Sequence, residues 1–257
     1  MSALLEVRGL TRWFGGLAAV QDVDFAVEAG AIMGLIGPNG AGKTTVFNLL
    51  SGALRPTAGA VVFDGRPIVG LPPERIARRG LVRTFQNLRL FRRMSVLDNV
   101  AVASFCRSGG SLVSWALPGH ARWLAARRED AARVVEFAGL AGHAHEAAMH
   151  LSHGEQRRLE VARALAAGPR LLLLDEPCAG LTRVEVDALV ALIRRIRDEG
   201  VTVLLIEHDM DFVMALAEHI VVLNFGRKIA EGTAAVVRED PAVLAAYLGT
   251  ETARAAR

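Results

Sequence analysis

Cysteine is scarce: Cys106 and Cys178 are the two in 257 residues. Two thiols build no disulfide framework, and these show no metal-ligand spacing, so a reducing compartment is the simplest reading. Long apolar runs are missing as well. No uncharged stretch reaches the roughly 18 residues that a membrane-crossing helix requires. The apolar runs ending at Leu174 and Ile206 have strand length instead. The first residues, MSALLEVRGL, lack the basic stretch and long apolar run of a secretory signal. The expectation is a chain that is soluble, or attached to a membrane only through something else. A strong charge of one sign is also absent: 30 basic residues face 27 acidic ones, a net charge of +3. That balance demands no nucleic-acid partner, although it suits a surface near anionic lipid.

What the chain has is apolar substance and a pattern. Apolar residues make up 52%, enough for a sizeable core, and the length fits one α/β domain or a core with an inserted lobe. Short apolar runs at 31–36, 60–63, 171–174, 201–206 and 220–223 lack alternation. Such runs predict strands covered on both faces, as in a mainly parallel sheet. Helical patterns at 43–50, 155–167, 185–199 and 210–217 separate them, with Gly52, Gly168 and Gly200 placed to end helices. Strand–helix alternation of this kind predicts an α/β fold with crossover connections. Between about Asn87 and His150 the strand-like runs vanish and Ala, Arg and Leu recur at helical spacing, notably at 123–137. That segment reads as an inserted helical lobe, with a loop-rich excursion at 107–120. No internal repeat is visible.

The residues Gly37, Pro38, Asn39, Gly40, Ala41, Gly42, Lys43, Thr44 and Thr45 follow one predicted strand and open a predicted helix. They fit G-x-x-x-x-G-K-[ST] in the context that gives the pattern meaning. Glycines let backbone N–H groups converge on phosphate oxygens, and the helix N-terminus adds unpaired donors. Lys43 is expected at the β- and γ-phosphates of ATP and Thr44 at Mg²⁺. A second apolar run, 171–174, ends in Asp175 and Glu176. Asp175 is the candidate direct or second-sphere carboxylate for Mg²⁺, and Glu176 the candidate base for the attacking water. Two carboxylates at a strand end can equally be a solvated exit from a sheet; the phosphate loop upstream favours the catalytic reading.

Further along, Leu151-Ser152-His153-Gly154-Glu155-Gln156, Gln86 within Arg83-Thr84-Phe85-Gln86, His208 within Ile206-Glu207-His208-Asp209, and Phe14 before Gly15-Gly16 stand in a fixed order. With these motifs, over about residues 5–249, the chain resembles the ATP-binding cassette (ABC) ATPases. The resemblance implies a P-loop NTPase with a RecA-like core, an antiparallel β subdomain and an inserted helical subdomain. One domain over 1–250 is implied, with 1–86 and 161–250 as the α/β core, 87–160 as the helical part, and 251–257 as a frayed tail. It further implies catalytic roles for Glu176, His208 and Gln86, an adenine stack for Phe14 with neighbouring Trp13 as the competing aromatic, and Mg²⁺ contacts from Thr44, Gln86 and Asp175. Ser152 and the Gly154 N–H, at the start of a helix, are implied to meet the γ-phosphate held by an opposite subunit.

Ser152-x-x-Glu155 is also a capping box on its own terms, and one helix start can serve both purposes. Departures from the family pattern are His153 and Glu155 within the signature and Thr182 where an Asp is usual. The arginines at 75, 78, 79, 83, 89, 92 and 93 read as a solvated face or as a docking surface for membrane subunits and anionic lipid. His143, His145 and His150 read as surface residues, and Cys178 as a packing residue.

Within the family, the stretches 82–91, 156–165, 205–210 and 246–249 look most like the ATPases of branched-chain amino acid importers. Urea and short-amide importers and the lipopolysaccharide exporter are the neighbouring alternatives. The partners implied are two transmembrane permease subunits, a second ATPase (a copy or a similar chain) and, indirectly, an extracytoplasmic solute-binding protein. The location implied is the cytoplasmic face of the inner membrane. A soluble ABC ATPase acting on DNA is disfavoured because 151 − 86 leaves about 65 positions, too few for long coiled coils. One acting on the ribosome would carry two cassettes, and a non-hydrolysing regulator would not need Lys43, Asp175, Glu176 and His208 together.

Overall fold

The computed structural model describes residues 3–84, 88–107 and 120–247. Two sheets share the work of the core. The larger is built on β3 (Ile32–Ile36), β6 (Leu81–Arg83), β7 (Leu171–Asp175), β8 (Thr202–Ile206), β9 (His219–Asn224) and β10 (Arg227–Gly232), in the order β10-β9-β3-β8-β7-β6. Pairing is parallel from β9 across to β6, and β10 closes the edge antiparallel.

The unbroken apolar runs have the reason inferred for them. Met33 and Leu35 enter one hydrophobic cluster while Ile32 and Ile36 enter another; Leu171 and Leu173 part from Leu172 and Leu174 in the same way. In β8, Leu204 and Ile206 face the first cluster and Val203 and Leu205 the second. Each strand thus buries both faces, at about 1.5–3 kcal/mol per fully buried aliphatic side chain.

The smaller sheet is antiparallel, in the order β2-β1-β4-β5, from β1 (Ala3–Phe14), β2 (Leu17–Glu28), β4 (Ala58–Phe63) and β5 (Arg66–Pro67). The run at 60–63 therefore belongs here and not to the parallel sheet. Only Val61 and Phe63 of that strand are buried, so its apolar residues are not covered on both faces. The long hairpin β1–β2 carries no continuous apolar run in β2 because that strand alternates: Val23, Phe25 and Val27 are buried between exposed Asp24 and Ala26.

Helices fall close to the expected patterns: α1 (Lys43–Leu50), α5 (His153–Ala166), α6 (Arg183–Asp198) and α7 (Met210–Leu216). A short α2 (Pro73–Arg78) precedes β6, and α8 (Ala234–Glu239) with a helical turn at 241–247 ends the described chain. The segment read as a helical lobe holds α3 (Val96–Arg107) and α4 (His120–Phe137). These pack with α5 around a third cluster that includes Val96, Val100, Val135, Leu140 and Leu159. Helix α5 runs unbroken across position 160. Leu159 and Ala162 face the third cluster while Val161 and Ala164 face the sheet, so one helix belongs to both bodies. The excursion at 107–120 lies, apart from its two ends, outside the described residues, as does the tail.

Candidate active site: an ATP cleft at the strand exits

Three neighbouring parallel strands discharge their functional residues at one edge. The phosphate loop follows β3, Glu207 and His208 follow β8, and Asp175 and Glu176 close β7. Strand β8 lies between the other two, so β3 and β7 stand two strand spacings apart, about 10 Å. Ligands of open α/β sheets bind at such exits.

A cleft of about 350 Å³ opens there, walled by Asn39, Gly40, Ala41, Gly42, Lys43, Thr44, Thr45 and Glu176 on the loop side. Leu17, Ala18, Ala19, Phe225 and Gly226 supply the remainder. The hairpin tip that carries Phe225 and Gly226 is pinned to the loop, with Gly226 N–H donating to Ala41 O at 3.0 Å and its carbonyl accepting from Gln21 N–H at 2.7 Å.

Lys43 is buried, and its Nζ donates to the carbonyls of Gly37 (2.6 Å) and Pro38 (2.9 Å). Burial pulls its pKa below the ordinary lysine value, while the nearby charges of Glu176, Glu207 and Asp175 pull the other way. The ammonium is therefore bent back over the loop, at the place where phosphate oxygens would replace carbonyls as acceptors. Glu176 sits at φ 46, a left-handed conformation rare outside glycine, with its N–H bonded to Ile206 O at 3.0 Å.

Asp175 is almost wholly buried and accepts through Oδ2 from Arg83 Nη2 at 2.7 Å. Arg83 also reaches Asn48 Oδ1 at 2.6 Å. This corrects the sequence reading of the arginine stretch: Arg83 is an internal partner of Asp175 at the end of β7, with 6% side-chain exposure, and no part of a basic surface. The oxygen donors fit Mg²⁺, a hard cation that keeps several waters and takes one or two protein ligands beside substrate phosphates. Thr44 in the cleft wall and Asp175 at the strand end are such a pair, although Asp175 shares its charge with Arg83. Gln86, the third expected Mg²⁺ contact, lies outside the described residues.

Other expected residues are placed differently. Among the described residues, Phe14 is not in the cleft wall; it ends β1 half-exposed, with the Arg12 guanidinium 4.6 Å from its ring centre. Phe225, overlooked in the sequence, is in the wall, 85% exposed and at φ 45. An aromatic forced to positive φ at a hairpin tip is the signal that could have found it, and it is a signal only of structure. His208 extends into the open, with 58% side-chain exposure.

Ser152 and Gly154 also stand away from this cleft, at the start of α5. The capping box is formed: Ser152 Oγ accepts from Glu155 N–H at 3.3 Å, and Glu155 accepts from Ser152 N–H at 2.8 Å. Gly154 N–H donates to Glu185 Oε1 at 3.0 Å. Glu185 in turn accepts from Thr182 N–H at 2.9 Å and holds its hydroxyl at the same distance. The hydrogen bond from the Thr182 backbone leads in holding the Glu185 carboxyl below the usual carboxylate range. His153 Nε2 lies 3.1 Å from Ala179 O. Two of the three departures from the family pattern, His153 and Thr182, thus join the signature helix to the loop after β7.

The third departure, Glu155, meets His143 Nε2 at 3.1 Å, and His143 Nδ1 meets Glu146 at 3.1 Å. His143 is therefore a bridging residue with carboxylate partners and not a plain surface histidine. Among the described residues no cluster suited to a metal ion forms around the histidines. Cys178 is buried, with burial foremost in pushing its thiol pKa far up, as suits a packing residue.

A phosphate loop, a carboxylate pair and a helix start of this kind on a parallel sheet define a P-loop nucleotide-hydrolysing domain. Comparison with known proteins is specific. The ABC transporter family model matches residues 20–179, and a model described as branched-chain amino acid ATP-binding cassette transporter matches 227–253. The high-affinity branched-chain amino acid transport ATP-binding protein BraF of Pseudomonas aeruginosa is 48% identical over 249 residues, covering 96% of this chain and 98% of that protein. The solved ADP conformation of MJ1267, an ATP-binding cassette of an ABC transporter, superposes with a TM-score of 0.85 at 30% identity, covering 97% of this chain and all of the other. The dimeric structure of MJ0796, a bacterial ABC transporter cassette, gives a TM-score of 0.76 at 25% identity, covering 90% and 98%. The chain belongs to the ATP-binding subunits of ABC transporters and is an ATPase coupled to transport. No helix among the described residues is long and apolar enough to cross a membrane.

Proposed function

We propose that this chain powers the uptake of branched-chain amino acids, closing head to tail with a second copy or a similar ATPase around two ATP molecules. One observation carries the two-chain reading. Ser152 and Gly154, the signature donors, do not line the cleft formed by the phosphate loop and Glu176 of the same chain. A two-fold axis brings each signature helix over the partner's loop. The identity to BraF and the match of the C-terminal model at 227–253 favour the importer reading over lipopolysaccharide export.

In this mechanism the loop amides and Lys43 hold the β- and γ-phosphates, and Glu176 takes the proton of the attacking water. His208 contacts the γ-phosphate from the neighbouring strand exit, and Gln86 joins the site. Phe14, half-exposed at the end of β1, stacks on adenine where the nucleotide extends beyond the cleft wall. Thr44 and Asp175, with Gln86, would hold Mg²⁺, which would offset charge on the phosphate oxygens. Closure has to exchange one acceptor for another: Gly154 N–H leaves the Glu185 carboxylate for a phosphate oxygen of the partner's nucleotide. A site completed only on closure ties nucleotide occupancy to domain motion, which docked permease subunits convert to alternating access. The chain acts peripherally, at the cytoplasmic face of the inner membrane, with an extracytoplasmic binding protein delivering the solute.

The test uses Glu176→Gln, expected to bind ATP and stall. In light scattering it should shift from monomer to dimer as ATP is added and return to monomer with ADP. ATP bound at saturation to a chain that stays monomeric sinks the two-chain reading. Turnover of Glu176→Gln within a few-fold of the unsubstituted chain removes Glu176 as the base. Reconstitution with the permeases and binding protein tests the solute: leucine should raise ATPase activity, and urea should not.

A further inference from the structure

Glu207 sits at the exit of β8 with no exposure to solvent, beside a histidine that points outward. A carboxylate buried in this way persists only where its oxygens are satisfied. Oε1 accepts from the backbone N–H of Cys178 at 2.8 Å. Oε2 accepts from the backbone N–H of His208 at 3.2 Å and lies 3.6 Å from His208 Nδ1. The two donors belong to different strand exits, since Cys178 stands two residues beyond Glu176 and His208 follows β8.

The turn that starts at Glu176 needs such a hold. Its first residue is at φ 46, a conformation that survives only where the surroundings impose it. Ala179 N–H closes the turn onto Glu176 O at 3.3 Å, and Glu176 N–H is bonded to Ile206 O. Glu207 supplies a side-chain tether from the exit of β8 to this turn, through Cys178. Glu207 itself is not in the wall of the cleft.

We propose that Glu207 is a positioning residue for hydrolysis: its two carboxylate oxygens clamp the Glu176 turn to the His208 turn, fixing the separation of base and γ-phosphate contact. The inference rests on the roles given above to Glu176 and His208. Displacing a reacting group by about 1 Å can cost on the order of a hundredfold in rate, so a clamp acting at this distance belongs to the chemistry more than to nucleotide binding.

The experiment compares Glu207→Gln and Glu207→Asp in the purified full chain with Glu176→Gln as reference. Glutamine has one acceptor oxygen, so either Cys178 or His208 loses its partner. Aspartate keeps the charge but is one methylene too short to span both N–H groups. Both variants should lower kcat for ATP by about tenfold while the ATP Kd of the monomer stays within about twofold. In a His208→Ala background, Glu207→Gln should cost less than it does alone, because part of what it positions is gone.

If kcat holds within twofold in both variants, the proposal is overturned. It is equally overturned if ATP affinity falls in step with kcat, which would mark Glu207 as acting on Lys43 or on general stability. A Glu176→Gln chain that hydrolyses ATP normally would overturn the parent reading of the base, and the clamp with it. Stalled Glu176→Gln beside fully active Glu207 variants refutes the clamp alone. Should Glu207→Gln fail to fold, Glu207→Asp decides the matter by the same split.

Discussion

Replacing Gly37 by alanine should damage both the fold and the nucleotide site, and the structure supplies the size of the effect. An ideal Cβ at Gly37 would lie 2.1 Å from Leu223 O and 3.1 Å from Ala41 Cβ. Ordinary contact needs more than 3 Å, so loop and β9 must part by about 1 Å against a packed core, which costs roughly 1–3 kcal/mol. The backbone there has φ +148, outside the usual range of side-chain-bearing residues, adding about 1–3 kcal/mol. Together these make about 4 kcal/mol, a large part of a typical stability of about 5–15 kcal/mol. At roughly 2–4 °C per kcal/mol for a chain of this size, Tm should fall by about 8–16 °C.

Gly40, in the same loop, is the control. It has φ +81 but nothing within 4 Å of its Cβ position, so Gly40→Ala should lose only about 1 kcal/mol. Because Lys43 Nζ is bonded to Gly37 O, movement of that carbonyl should also weaken ATP binding in Gly37→Ala, and far less in Gly40→Ala. Thermal unfolding and ATP titration of the two variants in parallel give the answer. Equal Tm losses would refute the steric argument, and an unshifted Gly37→Ala would refute the close approach of loop and β9.

Ser152→Ala removes the cap that accepts from Glu155 N–H, so stability should drop by about 1 kcal/mol. ATPase activity should fall too, while ATP affinity of the monomer is nearly unchanged; a large loss of monomer affinity would place Ser152 in its own chain's site. His143 should make stability depend on pH. The Glu146 carboxylate, 3.1 Å from Nδ1, leads in raising its pKa above the ordinary 6.5, with the Glu155 charge adding to it and burial and Arg158 opposing. A raised histidine stabilises the fold fully below its unfolded pKa and loses that contribution as pH climbs through the folded value. The Tm gap between the unsubstituted chain and His143→Ala should therefore be wider near about pH 5.5 than near about pH 8.5. A gap independent of pH would show that the bridge to the two glutamates does not form.

The residues proposed to touch phosphate were legible because their chemistry is local. A glycine-rich turn between strand and helix, or two acids ending an apolar run, is defined by neighbours in the chain, and 37–45, Asp175 and Glu176 could be named from order alone. The helices followed for the same reason: α1 begins at Lys43 and ends at Leu50 as its pattern foretold. The hairpin β1–β2 was not read from the sequence, because its signal is the period-two alternation at 23–27 and not a continuous apolar run. Tertiary structure decided the partners that lie far apart in sequence. Arg83 meets Asp175 across 92 positions, Glu185 reaches back 31 to Gly154, and Cys178 finds Glu207 across 29. Each of these pairs a buried or bent-back charge with a donor from another element, and no property of either residue's own neighbourhood announces the match. A chain can write down which groups it carries to a strand's end; which strand stands next to it is settled only when the sheet has formed.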